Sequence, residues 1–161
     1  MIKYNFRTFT ASALVLRQAS EAATEARIRD QACSSVTIEI NADFAVMAYM
    51  ALPAWTAFAV EMGLKTLLVS TGVDQNPRGH DLAKLFIQLP IDIQKMIECK
   101  TVEGLQGNDD TNFSTLLDNN KLAFEQWRYF HEAKTTQSDI GFLQSLMLAI
   151  HNSTVQNKTN A

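Results

Sequence analysis

Five ionisable side chains in this chain have types and spacings suited to chemistry: Glu61, Lys65, His80, Arg128 and His131. Arg128 and His131 lie in the aromatic run FEQWRYFHE, residues 124–132. On a helix His131 falls about 20° and Arg128 about 40° from the direction of Phe124, so both point into an apolar stripe. Arg128 and His131 are side-chain types that serve either catalysis or the polar lining of a helical core. An inward guanidinium needs a partner, because an isolated buried charge is prohibitively costly. Glu132 at i+4 and Glu125 at i−3 are within reach.

Glu61 and Lys65 are the only charged residues between Asp43 and Asp74. They form an i,i+4 pair with the acid first, the favoured orientation on a helix. Lys65 lies within about 20° of the Phe58 direction, so the pair faces inward or into a cleft. The expected arrangement is a polar patch of Glu61, Lys65 and Arg128 between two central helices. His80 either joins that patch or caps the helix that it opens. Two readings follow: a ligand-binding or catalytic site, or charges that satisfy one another and fix helix register. Buried pairs of the second kind add little net stability, yet removing one member is expensive.

The elements that must position these residues are helical. A first helix is expected from about Thr10 to Ala32, opened by Thr8 or Thr10. SSVTIEIN (34–41) alternates and is β-branched, which suits an extended connector or one strand. Asn41 suits the N-cap of a second helix running to about Ser70, kinked or divided by Pro53. After the loop STGVDQNPRG a third helix starts near His80, with Leu82, Leu85, Phe86 and Leu89 on one face. Pro90 suits the first turn of the short helix IDIQKMIECK. EGLQGNDDTN is a loop, after which Asp110 or Thr111 caps a helix running to about Ala133. Ser138 caps a last helix that ends at His151, where the helix dipole favours a cation. The expectation is one all-α domain over residues 1–151, a bundle of four to five main helices, followed by a frayed polar tail, 152–161.

Composition agrees. The 161 residues are 47% hydrophobic and 19% charged, with six Gly and three Pro. That suits a filled helical interior and provides too few turn residues for an all-β fold. A net charge of −3 repels nucleic acid over most of the surface, so any RNA contact needs a local basic pocket. Cys33 and Cys99 stand apart with no CxxC spacing or histidine cluster, so no metal or cofactor is expected. The solitary cysteines suit a reducing cytoplasm, where the sequons NFS, NST and NKT carry no glycan. FAVMAYMALPAWTAFAV (44–60) has no charge, but Pro53 and Thr56 interrupt it and Glu61 follows. It reads as a helix buried on all sides rather than a membrane span.

The order AVEMGLKTLL, then GHDLAKLFIQLP, then FSTLLDNNKLAFEQWRYFHE resembles the HEPN-domain family, small all-helical prokaryotic modules. The resemblance rests on E-x-x-x-K, GH-D-L and W-R-Y in this order, and covers about Phe44 to Glu132. It implies a bundle of four to five helices, often a homodimer, encoded near toxin–antitoxin, defence or mobile-element genes. Many members are metal-independent endoribonucleases with an Arg followed four to six residues later by a His. This chain departs from that spacing: Arg128 and His131 are too close, and no other Arg–His pair fits. The resemblance therefore implies a module binding RNA, a nucleotide or a protein partner. The alternative it leaves is a ribonuclease with a rearranged site using Arg128, His131 and His80.

Overall fold

The computed structural model describes residues 18, 42–105, 112–128 and 138–159. Six helical segments and no strand occur among them: α1 (Ala42–Ser70), α2 (Leu82–Ile87), α3 (Ile91–Gly104), α4 (Phe113–Asn120), α5 (Ala123–Arg128) and α6 (Ile140–Thr159). The chain is an all-α bundle. Of the segment expected over Thr10–Ala32 only Gln18 is described, and it is helical; 34–41 and the Asn41 cap lie outside the described residues.

Helix α1 is the spine. It packs on α6, α5 and α2, while α6 also covers α3. From Leu52 to Leu68 most residues of α1 are buried, Trp55 being the exposed exception, and Ala57, Val60, Leu64, Leu67 and Leu68 are wholly so. A helix surrounded in this way has no polar face to show, which explains its uncharged sequence. Its stretch Ala51–Ser70 is long and apolar enough to cross a membrane, and 72% of the strongest window is buried inside the bundle. Pro53 neither ends nor divides α1. It removes only one N–H from the ladder, and helical packing on every side holds the rest. The buried Thr56 hydroxyl is satisfied by the Leu52 carbonyl at 2.7 Å.

α1 stops at a left-handed Gly72, φ +74°, with the amides of Val73 and Asp74 both returning to the Leu68 carbonyl. Glycine takes that conformation without steric cost. The next helix is capped by Asp81, whose side chain accepts from the Lys84 amide at 3.0 Å. His80 is thereby released from capping. The expected apolar face of α2 is correct: Leu82, Leu85, Phe86 and Leu89 are all in the core. Pro90 stands one position outside α3, and its carbonyl accepts from the Gln94 amide.

Expectations are corrected in two places. The single helix to Ala133 is instead α4 and α5, broken by a turn at Lys121–Leu122. Asn112, rather than Asp110 or Thr111, caps α4 and accepts from the Thr115 amide. The break lets the Lys121 carbonyl accept from the Leu82 amide at 2.9 Å, joining the turn to the start of α2. The second correction concerns the C-terminus. α6 continues to Thr159, so 152–159 is helix rather than frayed tail, and His151 is mid-helix rather than terminal. No Gly or Pro interrupts 152–161, and Ser153 is buried with its hydroxyl on the Ala149 carbonyl at 2.8 Å. Asp139, not Ser138, caps α6 by accepting from the Phe142 amide.

Asn120 fastens these parts together. It is buried, donates to the Leu116 carbonyl at 2.8 Å, and accepts from the Asp139 amide at 2.9 Å. Asn120→Ala should lose about 2 kcal/mol of stability, because it strips two bonds and orphans the Asp139 N–H. Urea denaturation measures this, and Asn120→Asp, which keeps the acceptor, should lose less.

Candidate functional site

The Glu61 carboxylate is the centre of the polar cluster. α1 carries it inward one turn before Lys65, and its side chain is 1% exposed. Oε1 accepts from Lys65 Nζ at 2.7 Å. His80 Nδ1 lies 3.1 Å from Oε1 and 3.0 Å from Oε2. One buried carboxylate thus serves an ammonium and an imidazole. This is how a charge survives in such a place, with its lone pairs filled and an opposite charge beside it.

His80 reaches Glu61 because of the loop before it. Gly79 is left-handed, φ +90°, and its open surroundings offer a side chain no clash but the backbone itself disfavours one. From there His80 folds back over α1 while Asp81 starts α2. The ring lies 5.8 Å from that of Phe124, which in turn stacks on Phe58 at 4.8 Å. The Leu82–Lys121 bond brings α5, and hence Phe124, to this position. The His80 side chain remains 44% exposed, whereas that of Lys65 is 9% exposed.

The structure thus brings Glu61, Lys65 and His80 together, as the helical spacing of the first two suggested. It also sorts them: Glu61 and Lys65 are buried, and of the three His80 alone is broadly exposed. Arg128 ends α5, whose Phe124 touches His80, but its side chain lies outside the described residues, as does His131. No group of three or more His, Cys, Asp or Glu suited to a metal occurs among the described residues. The bond that sequence reasoning did not specify, Glu61 to His80, had one signal: His80 immediately precedes a better capping residue, Asp81.

A second concave feature lies between α3 and α6, an open groove of about 480 Å³. Gly104 faces Ser145 closely, and a Cβ at Gly104 would sit 3.1 Å from Ser145 Oγ. Among the described residues Lys100 is its one charged lining residue. Near it on α3, the exposed Cys99 thiol donates to Glu103 at 3.3 Å. That bond and the negative charge of Glu103 raise the thiol pKa above its ordinary value.

Two outcomes are expected. Glu61→Leu leaves the Lys65 ammonium buried alone and should cost about 3–5 kcal/mol in chemical denaturation, while Glu61→Leu with Lys65→Met should recover most of that. Cys99, holding less thiolate at pH 8, should alkylate more slowly than in the urea-unfolded chain, and Glu103→Gln should speed it. No protein-family model, curated protein or solved structure matches this chain.

Proposed function

We propose that this chain is a cytoplasmic, homodimeric HEPN-like module from a defence, toxin–antitoxin or mobile-element setting that binds RNA or a nucleotide without cleaving it. The observation that carries the reading is the buried Glu61 carboxylate shared by Lys65 and His80. With the Glu61 charge offset by Lys65, the exposed His80 ring is a local focus relieved of negative charge on an otherwise acidic protein. Such a focus attracts phosphate where the rest of the surface repels it. His80 is the ligand-facing donor, Glu61 and Lys65 hold it, and Arg128, four residues after Phe124, is the expected phosphate clamp. The lack of an Arg–His pair at ribonuclease spacing supports binding over cleavage.

A second reading, a metal-independent endoribonuclease, is favoured by the Glu61–His80 bond itself. A carboxylate on one imidazole nitrogen orients the other for proton transfer. In that reading His80 moves the proton, with Arg128 and His131 as further candidates.

Labelled RNA oligonucleotides and ATP, titrated by anisotropy and calorimetry, separate the two. Binding should weaken about tenfold or more in His80→Ala or Arg128→Ala, the worth of one charge-assisted hydrogen bond of ~1.5–3 kcal/mol, with folding intact. Unchanged affinity in both variants rejects the site. Growth arrest with RNA fragmentation on induced expression, abolished by His80→Ala, replaces binding by catalysis. Light scattering giving a monomer at micromolar concentration removes the homodimer.

A further inference from the structure

We infer that His80 Nε2 is a nucleophilic acceptor of a phosphoryl group, a modification site distinct from reversible ligand binding. The inference starts from the hydrogen-bond pattern. A carboxylate paired with an ammonium only accepts, and Glu61 Oε1 accepts from Lys65 Nζ at 2.7 Å. The contacts of His80 Nδ1 at 3.0 and 3.1 Å therefore require the hydrogen on Nδ1. In the neutral ring the lone pair then belongs to Nε2. The other edge of the ring carries that atom away from Glu61, on a side chain that is 44% exposed. Phe124, 5.8 Å away and tilted by 44°, restrains the ring in this orientation.

Three features fit this nitrogen to phosphoryl transfer in particular. Attack through Nε2 turns the ring into a cation, and the Nδ1–H bond to Glu61 then becomes a bond between opposite charges. The modified ring is thus supported without any proton having to leave. Arg78 and Lys84, two residues before His80 and four after, are exposed, and carry charge opposite to an incoming phosphoryl group. The nearest carboxylate in sequence, Asp81, is engaged by the Lys84 amide at 3.0 Å and the Lys84 ammonium at 3.5 Å.

With a phosphoramidate donor the step balances. The Nε2 lone pair forms a bond to phosphorus, the donor's P–N bond breaks, and its electron pair leaves with ammonia. The Nδ1 hydrogen stays in place, and no oxidation occurs. Glu61 and Lys65 act as positioning residues, since neither touches the donor.

The test treats the folded chain with potassium phosphoramidate and follows intact mass, with ³¹P NMR to distinguish phosphate on Nε2 from phosphate on Nδ1. Expected is one addition, on His80 and at Nε2, about tenfold faster than on the same histidine in the urea-unfolded chain, the order of one hydrogen bond that becomes charge-assisted on attack. His80→Gln should abolish it. Glu61→Gln, with folding checked by circular dichroism, should slow it towards the unfolded rate. First addition at His131 or His151, phosphate on Nδ1 of His80, or equal rates in folded and unfolded chains overturns the inference. The folded-against-unfolded comparison decides the matter even where Glu61→Gln fails to fold.

Discussion

A carboxylate in the middle of an apolar helix must be neutralised where it stands, and the architecture around α1 follows from how Glu61 meets that demand. Lys65 comes from the same helix at the one spacing that allows contact without moving any other element. His80 comes from outside, and to deliver it the chain must end α1, turn through Gly72 and Gly79, and give the capping of α2 to Asp81. The polar cluster thus fixes the path of the connection between the first two helices. A hydrophobic pair in place of Glu61 and Lys65 would fill the same space but would leave nothing to draw the imidazole inward.

The rest of the bundle is held by a second set of polar contacts that share this logic. Asn120 ties α4 to the first turn of α6, and the Lys121 carbonyl ties the α4–α5 turn to α2. Buried hydroxyls on Thr56, Thr101 and Ser153 are satisfied within their own helices. Between these points the interior is aliphatic and aromatic, with Phe113 set between Phe86 and Phe142. Apolar packing supplies the driving force, and the few directed bonds select which helix lies beside which.

Much of this was legible in the sequence where the signal is local. The face Leu82, Leu85, Phe86 and Leu89 and the inward pair Glu61–Lys65 follow from helical periodicity alone. The turn at Lys121–Leu122 was not read, because DNNKLAF contains no Gly or Pro and its one local signal is the weak helix propensity of Asp118, Asn119 and Asn120. The bond from Leu82 to the Lys121 carbonyl marks the interruption in the fold. Asn120 was likewise hidden: an asparagine beside another asparagine reads as solvent-facing until Asp139 arrives from a distant part of the chain. The polar composition of 152–159 suggested fraying, whereas α6 runs on to Thr159, with the hydroxyls of Ser153 and Thr154 turned back to helix carbonyls. His80 was legible as a candidate, whereas its partner depended on the geometry of a loop.

The Leu82–Lys121 hydrogen bond has a bearing on the order in which the molecule assembles. It joins segments far apart in the chain, so it closes a long loop and forms only after much chain entropy has been spent. The aromatic wall beside His80 depends on that closure, since α5 brings Phe124. Glu61 and His80 are 19 residues apart and meet through α1 and the loop after it alone, so the face of the imidazole against Phe124 is the part of its surroundings that depends on this long-range closure.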